Sequence, residues 1–265
     1  MNIRFLDLSI KNQKLIKNYQ NLFKKFLLKG RFVMGKEVEK FENKVSNRIG
    51  KKYSVGVSSG TNAIYLALKV CGIKKTDHVL VPCLSWLSTF TAVKHLGAMP
   101  IGIDISSDLQ IDLNLIKKNI TKKTKAIIVV HFTGYLKNYD KLKEFCNKKK
   151  IYLIEDASQS FGARILNKPS GSFGNLSCFS MNPMKVFAAL GDAGTVSTDN
   201  FKQYNKLLSL RYAGTIKKEK TYYPDLNHKI DTLQCLILNQ NLKNLKNIIK
   251  KRIKNAKLYE NNLTN

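Results

Sequence analysis

Lys125 to His131 reads KAIIVVH, an apolar run short enough for a strand and too continuous for a strand with one wet face. Such a run fits a strand buried on both sides, which is the habit of parallel sheets covered by helices. Tyr53 to Val57, His78 to Val81, Pro100 to Ile105 and Ile151 to Ile154 read as further strands. Between them the apolar residues fall at helical spacing. Residues 8 to 29 form one such segment, ended by Gly30, and Val38, Phe41, Val45 and Ile49 mark an amphipathic helix closed by Gly50. Helices are also expected over the IYLALKVCG segment, Leu136 to Lys150 and Lys202 to Arg211. Beyond a turn at Tyr222 to Asn227, Leu233, Leu236, Leu238, Leu242 and Leu245 lie on one long basic helix. This alternation predicts a doubly wound α/β fold with a largely parallel sheet. No repeat, proline-rich linker or low-complexity tract marks an internal boundary.

With 265 residues, 43% of them hydrophobic, the chain can bury a sizeable core. It has no apolar run long enough to span a bilayer and no signal-peptide core near Met1, so no membrane is expected and a cytoplasmic location is the default. Five cysteines, without CxxC spacing, point to a reducing compartment and to no metal site. The formal net charge of +28 raises the question of a nucleic-acid partner. Lysine is spread through nearly every helical segment, and that pattern reads as solvated helix faces. An anionic small substrate would still be drawn to such a surface.

Chemistry concentrates between Ile151 and Thr198. The Ile151 strand delivers Glu155 and Asp156 at its C-terminal end, where ligands bind in open α/β sheets. Farther on, Lys185 stands among Met184, Val186, Phe187, Ala188 and Ala189. Desolvation in such a setting favours a neutral amine able to attack a carbonyl, although an ordinary surface lysine beside a loop has the same sequence appearance. A lysine, an aspartate able to hold a protonated pyridine nitrogen, and a phosphate cradle are what a pyridoxal phosphate site needs. Ser58-Ser59-Gly60-Thr61-Asn62-Ala63 joins a strand directly to a helix, which suits either a phosphate at the helix start or a plain serine cap.

Taken in order, SSGTNA, the aromatic Trp86 after a proline loop, VVHFTG, EDASQSFGA, FSMNPMK and LGDAGTVSTDN resemble the DegT/DnrJ/EryC1/StrS family of sugar aminotransferases. The resemblance implies the large domain of the aspartate aminotransferase fold, a three-layer α/β/α pyridoxal-phosphate transferase with a mostly parallel sheet. It assigns residues 1–240 to that domain and residues 241–265 to the start of a C-terminal small domain that is missing or truncated. It further implies pyridoxal 5'-phosphate as cofactor, Lys185 as the Schiff-base lysine and proton carrier, and Asp156 as the partner of the pyridine nitrogen. Gln159 would face the ring hydroxyl, Trp86 would stack on the ring, and Gly60, Thr61 and Ser180 would hold the phosphate. Asn227 resembles the asparagine that reaches the phosphate of a neighbouring subunit, which implies a homodimer with shared active sites. The implied reaction moves an amino group from a donor, glutamate, to a keto group of a nucleotide-linked keto-deoxysugar in polysaccharide or antibiotic sugar synthesis. Lys229 departs from the family's usual arginine, and an ammonium does not reproduce an arginine fork. The rivals are a pyridoxamine-dependent sugar 3-dehydratase, in which histidine replaces the lysine, and a non-catalytic protein that keeps the fold.

Overall fold

Asn12 opens the first helix, α1 (Gln13–Lys29), by accepting the Leu15 amide at 3.0 Å, and Gly30 ends it with a left-handed φ of 64°. The second, α2 (Lys36–Ile49), buries the stripe of Val38, Phe41, Val45 and Ile49 read from the sequence. The computed structural model describes residues 6–216 and 219–263, so the first residues of the stretch read for a signal peptide lie outside it. Strand and helix then alternate: β1 (Tyr53–Val57), α3 (Gly60–Val70), β2 (His78–Pro82), α4 (Leu87–His95), β3 (Met99–Ile103), α5 (Leu113–Asn119), β4 (Thr124–Val130), α6 (Asp140–Lys149) and β5 (Tyr152–Asp156). A small hairpin, β6 (Arg164–Ile165) with β7 (Lys168–Pro169), leads to β8 (Leu176–Ser180) and β9 (Gly194–Thr198). The chain continues as α7 (Phe201–Arg211), a ribbon of β10 (Thr215–Ile216) and β11 (Lys220–Thr221), α8 (Thr232–Asn241) and α9 (Leu245–Asn262).

The main sheet runs in the order β1-β9-β8-β5-β4-β2-β3. Its strands from β8 to β3 are parallel neighbours, whereas β9 is antiparallel to both β8 and β1. One face packs Val81, Ile128 and Ile154 against α3, α4 and α7. The other packs Leu80, Val129 and Leu153 against α5 and α6. These are the three layers expected. A further apolar cluster joins α2 and α8 to Phe161, Phe179 and Phe187.

Three expectations change. The helix foreseen over Leu136 to Lys150 begins only at Asp140, because Tyr139 is fully buried as a plug whose hydroxyl donates to Gln110 Oε1 at 3.0 Å. The long basic helix is two helices, separated by a 3-10 turn at Leu242–Asn244. There Asn241 turns its side-chain amide onto the Ala188 carbonyl at 2.8 Å. Finally, β8, β9 and α5 were not foreseen. The β9 sequence GTVST buries hydroxyls as well as Val196, and Ser197 Oγ pairs with Ser54 Oγ at 2.7 Å.

Candidate active site

Successive side chains on a strand point to opposite faces, so β5 cannot bring both of its terminal acids to one place. Asp156, 6% exposed, faces the α3 side. Its Oδ2 accepts from Thr89 Oγ1 at 3.2 Å and its Oδ1 from the Ser158 amide at 3.2 Å. Among the described residues no cation lies within ion-pair distance of this carboxylate. Glu155 points the other way and is a structural clasp. Its carboxylate accepts from His131 Nε2 at 2.8 Å, the Gly171 amide at 2.9 Å and the Gly174 amide at 2.6 Å. Burial opposes its ionisation, but the bond and charge of His131 together with the Gly174 amide outweigh burial and hold the carboxyl below its usual range.

Lys185 sits on the loop between β8 and β9. Its amide donates to the Asn182 carbonyl at 2.9 Å, forming a turn. Asn182 is tied across the loop by Nδ2 donating to Asp192 Oδ1 at 3.0 Å, and Gln234 on α8 accepts the Leu190 amide at 3.0 Å. Tyr19 on α1 donates to Asn241 Oδ1 at 2.6 Å, and Asn241 in turn holds the Ala188 carbonyl. Two helices distant in sequence thus brace the lysine loop. The Lys185 side chain is half-buried and, among the described residues, forms no ion pair.

The helix-start motif forms the serine cap and leaves two first-turn amides without partners among the described residues. Ser59 caps α3, its Oγ accepting the Asn62 amide at 3.2 Å and its carbonyl the Ala63 amide at 3.0 Å. The first-turn amides of Gly60 and Thr61 carry no bond within the described chain and remain at the positive end of the helix. Gly60 fits against β8 so closely that a Cβ there would lie 2.6 Å from Ser180 Cβ, and a Cβ on Gly194 would lie 2.4 Å from the Ser59 carbonyl oxygen. The Thr61 and Ser88 hydroxyls pair at 2.8 Å, joining the starts of α3 and α4.

These parts enclose one cavity of about 410 Å³, lined by Gly60, Thr61, Trp86, Asp156, Gln159, Ser180 and Lys185. Trp86, 74% exposed, stands before α4 at its mouth. Gln159 accepts the Thr133 amide at 2.9 Å. Asn227 is not brought in: it is exposed, and its Oδ1 accepts the Lys229 amide at 3.2 Å. Sequence reasoning missed Thr89, Asn182 and Asp192, which support Asp156 and the lysine turn. Thr89 lies one helical turn after Trp86, the only signal that could have found it. Among the described residues no group of three His, Cys, Asp or Glu is placed to hold a metal ion, and no helix is long and apolar enough to cross a membrane.

The cavity has an anion-attracting pole at the α3 start, a buried carboxylate at Asp156 and an amine at Lys185, neither of which forms an ion pair among the described residues. The chain is 33% identical over 226 residues to dTDP-3-amino-3,4,6-trideoxy-alpha-D-glucose transaminase of Micromonospora megalomicea subsp. nigra, covering 83% of this chain and 60% of the relative. It therefore spans less than two thirds of that relative's length. The structure matches Bacillus subtilis NtdA with bound cofactor PMP at a TM-score of 0.86 and 31% identity, over 92% of this chain and 56% of that one. It also matches E. coli GDP-4-keto-6-deoxy-D-mannose-3-dehydratase with bound hydrated PLP at a TM-score of 0.87 and 28% identity, over 95% of this chain and 70% of that one. The sequence pattern of the DegT/DnrJ/EryC1/StrS aminotransferase family matches residues 13–265, and the chain belongs to that family.

Proposed function

We propose that the chain is the cofactor-binding part of a pyridoxal-phosphate aminotransferase that moves an amino group, from glutamate, to a keto group of a nucleotide-linked keto-deoxysugar. The observation that carries this reading is that Asp156, a buried carboxylate without a cation, lines the same cavity as the amine of Lys185. A buried charge calls for a partner, and a protonated ring nitrogen supplies one. The Gly60 and Thr61 amides, with the Ser180 hydroxyl, suit a phosphate at the other pole. Gly60 is needed there because any side chain would fill the cradle against Ser180.

Bound in this cavity, pyridoxal phosphate supplies an electron sink for the carbanion formed next to the amino group. Asp156, oriented by Thr89 and the Ser158 amide, would hold the ring nitrogen, and Trp86 would flank the ring. Lys185 would hold the cofactor's carbonyl carbon and would supply the amine that carries the proton from the donor's α-carbon. Asn227, exposed and outside its own cavity, serves the phosphate of a second copy in a homodimer. Residues 1–240 form the cofactor-binding domain, and residues 241–265, which include α9, form the start of the small domain. A sugar 3-dehydratase is the rival among relatives, and Lys185 in place of histidine favours amine transfer.

The test is an absorbance spectrum of the purified chain with pyridoxal phosphate, before and after adding glutamate. The reading expects a visible band from the lysine-bound cofactor that bleaches when glutamate is added. A chain that gives no such band does not hold the cofactor through Lys185, and the non-catalytic reading takes its place.

A further inference from the structure

Tyr65, Lys69, Asp225 and His228 meet in a cluster of titratable side chains that takes no part in lining the cofactor cavity. Tyr65 and Lys69 lie one turn apart on α3, and Asp225 and His228 belong to the segment after β11 that carries Asn227. The Asp225 side chain is 3% exposed. Its Oδ2 lies 3.1 Å from Lys69 Nζ and its Oδ1 lies 3.4 Å from His228 Nε2. Oδ1 also accepts from the Tyr65 hydroxyl at 3.3 Å and from the Leu226 amide at 2.9 Å, while Lys69 donates to the Tyr65 hydroxyl at 3.2 Å. Burial opposes the ionisation of Asp225, but the Leu226 amide, Lys69 and His228 outweigh it and hold the carboxyl below its usual range. From Thr221 to Asn227 every residue but Asp225 is exposed, so apolar burial does not hold this stretch and the clasp onto α3 does.

Asn227 lies between the two side chains of that clasp. Just beyond it, the His228 amide donates to the Arg211 carbonyl at 3.2 Å and the His228 carbonyl accepts the Ser58 amide at 2.9 Å. Asn227 Oδ1 accepts the Lys229 amide, so the side-chain NH2 is the group turned toward solvent, and a phosphate oxygen is the acceptor that suits it. Resting on the reading that Asn227 serves the phosphate of a second copy, we propose that Asp225, held by Lys69 and His228, is the positioning residue that sets Asn227 for that contact. One helix then serves two cofactor sites: α3 cradles a phosphate of its own chain at its start and, through Lys69 in its last turn, sets the donor for the other.

The test is equilibrium titration of pyridoxal phosphate into the parent chain, Asp225→Asn, Lys69→Gln, Asn227→Ala and the double variant of Asp225→Asn with Asn227→Ala, followed by the visible band of the lysine-bound cofactor. Asn227→Ala is expected to weaken binding roughly 10-fold, as loss of a hydrogen bond to a charged group does. Asp225→Asn, which keeps an oxygen for the Leu226 amide, and Lys69→Gln, made on a side chain 27% exposed, should each weaken it roughly 3-fold with an unaltered circular dichroism spectrum. The double variant should match Asn227→Ala alone, because a residue that acts through Asn227 then has nothing left to position. Losses that add in the double variant overturn the proposal by making Asp225 a support of the fold. It is overturned too if Asp225→Asn and Lys69→Gln bind like the parent, or if Asn227→Ala does, and in each case a persisting band leaves the aminotransferase reading standing. A parent chain without the band strikes the aminotransferase reading and this inference with it.

Discussion

Asn182 and Asp192 are joined by a 3.0 Å hydrogen bond from Nδ2 to Oδ1, across the neck of the loop that carries Lys185. The same asparagine accepts the Met184 amide at 3.1 Å, so one side chain fixes both the closure of the loop and the turn into the lysine. Replacing Asp192 with Ala should leave the fold intact and loosen that turn. Because Asp192 is exposed, the loss is modest, about 1 kcal/mol, read as cofactor retention weakened several-fold in a dialysis assay. Asp192→Asn, which keeps an acceptor oxygen, should recover most of it.

Lys185→Ala removes a half-buried amine that no ion pair uses, so circular dichroism and urea midpoint should stay close to those of the parent chain. The visible cofactor band and all turnover should vanish. A Lys185→Ala protein that still aminated a sugar ketone would place the chemistry elsewhere.

Gly60→Ala puts a methyl 2.6 Å from Ser180 Cβ, at the floor of the phosphate cradle. Overpacking of this kind costs about 1–3 kcal/mol. Cofactor affinity should fall at least several-fold in equilibrium titration, and adding Ser180→Gly should restore part of the lost stability in urea by removing the obstructing Cβ, without restoring cofactor affinity, because it also removes the Ser180 hydroxyl.

Arg211 donates to Glu42 in the interior, and Glu42 also accepts the Gly56 amide at 2.7 Å. Burial pushes the Glu42 carboxyl upward against the pull of Arg211. Arg211→Met leaves that carboxylate buried alone and should lower unfolding free energy by about 3–5 kcal/mol in urea. The double change with Glu42→Gln should be milder than Arg211→Met alone.

Acid stability depends on Glu155. Its carboxyl is held below the 4.5 of a free glutamate, so the unfolded chain binds its proton first as pH falls. The contribution is complete above that value and is lost as pH drops through the depressed one. Unfolding free energy of the parent chain should therefore fall more steeply below pH 4.5 than that of Glu155→Gln, compared by urea titrations across that range.

The strands that sit between two helical layers were readable because burial on both faces leaves an unbroken apolar run. Tyr53–Val57 and Thr124–Val130 match their predicted segments to within a residue at each end. β9 was not readable, since it buries the polar Thr195, Ser197 and Thr198, Ser197 by pairing its hydroxyl with Ser54, and no hydrophobicity pattern encodes such burial. In the site, the ordered motifs led to Lys185, Asp156, Gly60, Thr61, Trp86, Gln159 and Ser180, which line one cavity. The supports escaped notice: Thr89 and Asp192 act through single hydrogen bonds made by the fold, and Gln234 and Asn241 reach the lysine loop from a helix far along the chain.

The opposite facing of Glu155 and Asp156 makes β5 intolerant of any change in length. Deleting one residue ahead of the pair would shift both back by one position, putting Asp156 where Glu155 meets His131 and the Gly171 and Gly174 amides, putting Glu155 where Ile154 packs in the apolar core, and leaving no acid at the cavity position. One edit would then cost the Gly171–Gly174 loop its anchor and remove the carboxylate proposed for the ring nitrogen from the cavity. Within this strand, insertions and deletions are far more damaging than substitutions, and homologous chains should vary there in residue type while keeping the count fixed.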